Sequence, residues 1–484
     1  MPANAGVWPQ DSFLTPNFLR RFSKHNLPAY TYAAARRTGI FPDGTRINGL
    51  GFLKLLDIQR HEWPAFLWSF AYFFFLLCAY YVLRPVRDEM GIQGGLKNLP
   101  WLFTGIFVGM LLMVPLFGWI SSRWPRRQFL PAVYLFFIVN LLFFYVAMRS
   151  EALEKTAVAA GFFIWLSVFN YFVVSVFWSF MTDIYDSVTA KRLFGAIAAG
   201  GSVGAMTGPI ITAALVKQVG IPNLLLISAC LLGAAVVCIV GLGRWAKARQ
   251  AERAGTGQPD EASEQAMGGG IFDGIKLAFS SPYLMTICGY VFMLQGIGTY
   301  FYLEQVRVMA ENIPSSADRT QLFAQLDLAV NTITLLTQVF VTSALLRRAG
   351  LVFCLILLPI LAVFTLGVTG LLPTLAVISV STVIRRACEF AIGKPAREIL
   401  YTVVSRQERY KAKNVIDTVV MRGSDVVSNW SHAGLRGLGM STAQMAFAVI
   451  PLCFVIMGAG LYLGRQQEAR SKPAPAAEPL AGTA

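Results

Sequence analysis

Apolar residues gather in twelve long runs, at 63–83, 101–120, 129–148, 157–181, 196–215, 221–242, 283–302, 328–346, 351–371, 375–391, 414–432 and 443–463. Each approaches the ~20 apolar residues an α-helix needs to cross a bilayer. Between the sixth and seventh runs stands a charged, Gly- and Ala-rich stretch containing QPDEASEQAMGGG, which reads as a linker. The pattern predicts an all-α membrane protein of twelve transmembrane helices in two pseudo-symmetric six-helix bundles. The expected divisions are an arm over 1–60, a first bundle over 61–242, a linker over 243–275, a second bundle over 276–466 and a disordered tail over 467–484. Within the arm, the amphipathic stretch LGFLKLLDI at 50–58 is expected to lie on the membrane surface.

Composition narrows the class. Only 14% of the 484 residues are charged, against about 25% in a soluble chain, and the mean hydropathy is +0.56. The net charge of +15 could suggest nucleic acid, but the basic residues sit in short clusters between apolar runs, so no nucleic-acid partner is expected. All seven cysteines fall inside apolar runs without a CxxC pair, and the three histidines are far apart. No disulfide framework, metal site or cofactor is therefore expected. No catalytic dyad emerges either, so the chain is not read as an enzyme.

Lys and Arg placement sets the expected orientation, because cytosolic loops carry the excess. Clusters at Arg123/Arg126/Arg127, Lys191/Arg192, Arg347/Arg348 and Lys411/Lys413 all fall on one side if the N-terminus is inside. Both termini and the linker are expected in the cytosol, with the protein multi-pass in a bacterial inner membrane. No secretory signal is expected, since the first long apolar run starts near Trp63.

Charges inside spans are costly and usually face a cavity or pair with one another. Arg385, Arg386 and Glu389 lie about mid-depth in the tenth run, and Arg385 and Glu389 are four apart on one face. The eleventh run carries Asp417, Arg422 and Asp425, followed by Asn429 and His432 at three- and four-residue spacings. Structural ion pairs between helices and a polar transport pathway are the two readings of this stripe. Arg84 lies about 31 Å along a straight helix begun at Trp63, so Arg84 and Arg87 read either as solute contacts or as snorkelling anchors. The two halves echo each other, since Leu83-Arg84-Pro85-Val86-Arg87 closes the first run and Leu303-Glu304-Gln305-Val306-Arg307 the seventh.

Three motifs carry resemblances. Gly118-Trp119-Ile120-Ser121-Ser122-Arg123-Trp124-Pro125-Arg126-Arg127 resembles the G-x-L-x-D-R-x-G-R-R loop of the major facilitator superfamily, with Ser122 in the acidic position and Pro125 in that of the second glycine. That resemblance implies a loop bracing one conformation; a plain positive-inside anchor is the alternative. The fifth run reads Gly195-x8-Gly204-x3-Gly208-Pro209-x2-Thr212-Ala213. It is similar to the superfamily's antiporter signature, with Thr-Ala in place of Gly-Gly, although small-residue packing explains the stripe equally.

The third resemblance is to the nucleotide (ATP/ADP) transporters of plastids and intracellular bacteria. Leu83, Arg84, Arg87 and Asp88 resemble their L-R-D-x-K-D motif, and Pro395-Ala396-Arg397-Glu398, Tyr401, Lys411, Lys413, Asp417 and Arg422 resemble P-T-K-E…Y…K-x-K…D…R. It implies that Arg87 meets phosphate or carboxylate. Where that family continues Gly-Lys-Ser, this chain has Gly423-Ser424-Asp425. A carboxylate thus replaces a phosphate-meeting lysine, and Asp425 is expected to pair with Arg422 or take up a proton.

The leading functional reading is a secondary transporter moving an anionic, phosphate- or carboxylate-bearing solute by alternating access as an antiporter. Arg84, Arg87, Arg385, Arg386 and Arg422 would contact the solute, because a guanidinium offers paired donors to such groups. Asp88, Glu304, Glu389, Asp417 and Asp425 are the coupling or ion-pair candidates, with protons or a counter-transported anion as partners besides the lipid bilayer. A proton-coupled exporter of amphipathic compounds and a non-transport membrane scaffold are the alternatives.

Overall fold

A computed structural model describes residues 58–59, 61–123, 126–255, 276, 279 and 281–471. The side chains of 114–123, 126–129, 187–188, 191, 250–255, 406–407 and 409–411 are outside that description. So are the arm through residue 57, including most of its amphipathic stretch, the linker from 256 to 275, and 472–484. The side chains of Gly118, Arg123, Arg126, Arg127 and Lys411 therefore lie outside the described residues.

Among the described residues every regular element is helical. The first six helices are α1 (Trp63–Gln93), α2 (Leu99–Arg123), α3 (Arg126–Arg149), α4 (Lys155–Ile184), α5 (Ser187–Val219) and α6 (Ile221–Gly255). After the linker come α7 (Pro282–Asn312), α8 (Ser316–Arg348, with a π-helical turn at Gln338–Thr342) and α9 (Gly350–Leu371). Next, α10 joins Leu375–Cys388 through a π-helical turn, Glu389–Gly393, to Lys394–Leu400. In the same way α11 joins Arg406–Val415 through a π-helical turn, Ile416–Val420, to Met421–Gly437, and α12 spans Thr442–Ser471. Ten of the twelve are long and apolar enough to cross a membrane. The other two, α10 and α11, carry the mid-run charges, and each is interrupted by a π-helical turn, as α8 also is.

Helix ends follow local chemistry. Asp186 caps α5 by accepting from the Thr189 backbone N–H at 2.8 Å, and Ser405 with Glu408 forms a reciprocal capping box that opens α11. Gly220, at φ 80°, turns the chain from α5 into α6 with no further loop, a conformation that suits a residue without Cβ. Several helices outrun their apolar runs. The helix α1 continues ten residues past Leu83, which places Arg84, Arg87 and Asp88 inside it. Likewise α6 runs to Gly255 and α12 to Ser471, beyond the expected ends at 242 and 466. The extensions of α6 and α12 are rich in Ala, Arg, Lys, Gln and Glu, which favour helix wherever the chain leaves the apolar layer. Arg470 also docks there over the Tyr283 ring, 4.4 Å from its centroid.

Contacts divide the chain into two compact units. The first comprises Met1–Arg84, Ile120–Arg149 and Phe169–Glu261. Its packing rests on close approach of α5 to α1. A Cβ on Gly208 would stand 2.7 Å from Tyr81 Cβ and 2.8 Å from the Cys78 carbonyl, and one on Gly204 would strike the Phe74 carbonyl. Thr212 Oγ1 donates to the Val82 carbonyl at 2.9 Å and Ser228 Oγ to that of Ala79 at 3.0 Å, so hydroxyls of α5 and α6 pin α1. Buried Tyr72 and Tyr134 share a hydroxyl hydrogen bond at 2.6 Å, and Phe73 stacks on Phe177 with centroids 4.0 Å apart. Near the start of α1, Arg192 pairs with Glu62 at 2.6 Å.

The second unit comprises Pro85–Trp119, Ser150–Val168 and Ala262–Ala484. Its core is apolar contact among α7, α9, α10 and α12, including Ile287, Leu355, Leu358, Ile456 and Leu463. Two buried tyrosines of α7 are satisfied by neighbouring backbones: Tyr283 donates to Leu400 O at 2.8 Å and Tyr290 to Leu355 O at 2.7 Å. Thr342 Oγ1 donates to Ala391 O at 2.8 Å, tying the π turns of α8 and α10 together.

Candidate functional site

The charged residues of the second unit fall into pairs placed by α1, α7, α8, α10 and α11. On α11, Arg422 Nη1 donates to Asp425 Oδ2 at 2.9 Å, as a three-residue helical spacing allows. Asp425 Oδ1 accepts from α7 as well, from Gln295 Nε2 at 2.9 Å and Thr299 Oγ1 at 2.8 Å. Such close approach needs Gly296, where a Cβ would stand 2.9 Å from Ser428 Oγ.

On α10, Arg385 Nη1 donates to Glu389 Oε2 at 2.8 Å. Its guanidinium lies over the Phe301 ring at 6.0 Å and against Gly298, where a Cβ would be 3.1 Å from both terminal nitrogens. The next residue, Arg386, points instead to α8 and meets Asp327 at 2.9 Å. Near the end of α1, Arg87 wraps onto the adjacent Asp88 through Nε at 3.0 Å and Nη2 at 2.5 Å. Tyr302 donates to the same Asp88 oxygen at 3.2 Å, and Arg87 lies 5.5 Å from the centroid of the Phe163 ring.

Each pair has a half-buried member and a more covered one. The arginine is the more exposed in three: Arg422 at 34% against Asp425 at 4%, Arg386 at 15% against Asp327 at 2%, and Arg87 at 18% against Asp88 at 7%. The α10 pair is inverted, with Glu389 at 17% and Arg385 at 7%.

The remaining predicted residues lie elsewhere. Glu304 is wholly buried and accepts from both Arg436 and Thr442, at 2.7–2.8 Å, with His432 Nε2 at 2.7 Å from Oε1. Arg307 approaches it at 3.6 Å. Glu304 thus stands in a hub joining α7, α11 and α12. Half-buried Asp417 has Arg397, Lys413, Glu398 and Lys394 as its charged surroundings. In the first unit, Arg84 lies beside the Tyr81 ring at 5.6 Å, and Gly204 and Gly208 line the α5 face against α1, while Gly195 and Pro209 fall within the same helix.

Glu89, Arg319, Asp327, Arg307 and Arg436 were not legible as site residues. Arg319 meets Glu89 with Nε at 2.7 Å and Nη2 at 2.6 Å. A carboxylate following Asp88 and an arginine in the first turn of α8 were the signals available. Among the described residues no group of three or more His, Cys, Asp and Glu could hold a metal ion.

Residues 68–396 match the family model of the Major Facilitator Superfamily. ADP,ATP carrier protein 2 of Chlamydia pneumoniae is 26% identical over 157 residues, covering 30% of this chain and 29% of that protein. The chain therefore spans less than a third of that relative's length in the match. The expected superfamily is met by the first match, and the likeness to nucleotide transporters by the partial second one. In the crystal structure of nucleoside transporter NupG, a TM-score of 0.55 is reached at 12% identity, over 86% of this chain and all of that one. An in meso crystal structure of the POT family transporter PepTSo gives 0.59 at 12% identity, over 84% of this chain and 98% of that one. At such identities these likenesses show the fold.

Proposed function

The chain belongs to the Major Facilitator Superfamily, and from that premise we propose that it exchanges a small anionic solute across the bacterial inner membrane by alternating access. Membership makes it a multi-pass membrane transporter, and the family is one of transporters rather than enzymes. The observation that carries the anionic reading is the exposure pattern: in three of four pairs the guanidinium is the accessible group, above a covered carboxylate. Arg422 shows the arrangement most clearly: covered Asp425 takes its Nη1 and keeps the fork oriented, which leaves Nε and Nη2 for an anionic group. The partial match to an ADP,ATP carrier protein supports the same solute chemistry.

One-to-one pairing weakens the positive field that a triphosphate would need, so a less charged phosphate or carboxylate is the preferred solute. The basic loops support a cytosolic side for both termini and the linker. The test is counterflow in proteoliposomes holding the purified full chain, with nucleotides, sugar phosphates and organic acids compared. Exchange of an anion that Arg422→Gln abolishes is the expected result. Flux confined to cationic or uncharged amphipathic compounds would overturn the anionic reading.

A further inference from the structure

The α10 and α11 pairs rest on one stretch of α7. Gln295 and Thr299 hold Asp425, while Gly298 and Phe301 seat the Arg385 guanidinium. From residue 295 to residue 301 is about 9 Å of helix axis, so the two pairs are close neighbours along α7. Their accessible members have opposite sign: Arg422 in one, Glu389 in the other.

Both accessible members also have hydrogen-bonding capacity to spare. Arg422 uses Nη1 alone, toward Asp425, and its Nε and Nη2 donate to none of the described residues. Glu389 uses Oε2 alone, toward Arg385, and its Oε1 accepts from none of them. A half-buried carboxylate with an unfilled acceptor favours a cationic donor, as an unfilled guanidinium fork favours an oxyanion. Covered Asp425 and Arg385 hold these two groups in place while contributing charges of opposite sign beneath them.

We infer that the solute is a small zwitterion, whose phosphate or carboxylate meets Arg422 and whose ammonium meets Glu389. This rests on the anionic reading and deepens it: the anionic group is shared, and the positive group is new. Seating of the two pairs on neighbouring turns of α7 favours a small molecule that carries both charges. A solute without a positive group would leave Glu389 facing its own negative charge.

Matched probes test the inference on the purified full-length protein, with thermal shift and proteoliposome uptake as readouts: phosphoethanolamine against glycerol 3-phosphate, and aspartate against succinate. In at least one pair the ammonium-bearing member should bind about tenfold more tightly, a preference at the low end of close charge-pair couplings. Glu389→Gln should bring that ratio to about one while plain-anion binding persists. Glu389→Asp, which keeps the charge, should retain a preference and serves if the Gln variant does not fold. Equal binding of both members by the native protein, lost in Arg422→Gln, would overturn the zwitterion and leave the anionic reading standing. Absence of binding by every probe, with Arg422→Gln indistinguishable from native in counterflow, would overturn both.

Discussion

Arg319, in the first turn of α8, grips Glu89 of α1 with two donors at 2.6 and 2.7 Å, and the Glu89 carboxylate is wholly covered. Ser316 Oγ and Gln93 Nε2 reach the same carboxylate at 2.7 and 3.0 Å, so its acceptors are filled. Removing one partner of such a buried pair costs about 3–5 kcal/mol, because the other charge stays buried alone. Glu89→Ala is expected to lower the Tm of the full chain in detergent strongly. The double variant Glu89→Ala/Arg319→Ala should lose less than the two single losses added together. Additive losses would show that the two side chains do not act as a pair.

Arg87→Gln should reduce anion exchange at least tenfold while the protein still inserts and purifies, and Arg87→Lys should reduce it less. Lysine keeps the charge beside Asp88 and Tyr302 but cannot reproduce the paired Nε and Nη2 donors. Uptake in proteoliposomes of matched protein content checks both. Normal exchange by Arg87→Gln would make Arg87 an anchor at the membrane interface.

Asp425→Asn should increase binding of multiply charged anions. The substitution leaves Arg422 without its counter-charge, while an amide can still accept from Thr299 or Gln295. Titration of the purified variant with ADP and with a monoanion gives the measure, and the ratio of the two affinities should move toward ADP. An unchanged ratio would mean that Asp425 does not set the charge preference.

Gly204→Leu is expected to prevent stable assembly of the first unit, because even a Cβ there strikes the Phe74 carbonyl and would stand 3.0 Å from the Cys78 amide. Overpacking by a single methyl already costs about 1–3 kcal/mol. Gly233→Ala, on α6, meets nothing within 4 Å and should leave the Tm within a degree or two. Size-exclusion profiles and thermal unfolding distinguish the two.

Cysteine labelling tests the orientation. On a cysteine-free background Gly255→Cys, at the end of α6, should resist a membrane-impermeant maleimide in intact cells and react after permeabilisation. Ready labelling from outside would invert the topology drawn from the basic loops.

Helix existence was legible because long apolar runs have few alternatives in a membrane. Their ends were not, since α1 keeps its geometry for ten residues past Leu83 through Arg84, Arg87 and Asp88. Pairs on one helix could be read from spacing alone: Arg385 with Glu389, and Arg422 with Asp425. Pairs between helices could not. Arg386 and Asp327, Arg319 and Glu89, and Arg436 and Glu304 are each brought together by tertiary packing, across 59 to 230 residues of chain, and no local periodicity reports that. Arg385 and Arg386 show the limit most clearly. As neighbours in sequence they point about 100° apart around the helix, and so serve different partners.

The π-helical turn of α10 begins at Glu389 and ends at Gly393. A π turn carries one residue more than the α-helical turn it replaces. Everything downstream is therefore rotated by about 100° relative to an uninterrupted helix. Lys394–Leu400 owes its azimuth to that surplus residue, including buried Arg397 and the Leu400 carbonyl that receives Tyr283. A one-residue deletion between 390 and 393 would leave the composition of α10 almost untouched and turn its last two turns away from their neighbours. This stretch of chain is accordingly sensitive to length in a way that it is not to ordinary replacement, and a relative lacking the extra residue would have to carry its α10 charges at shifted positions.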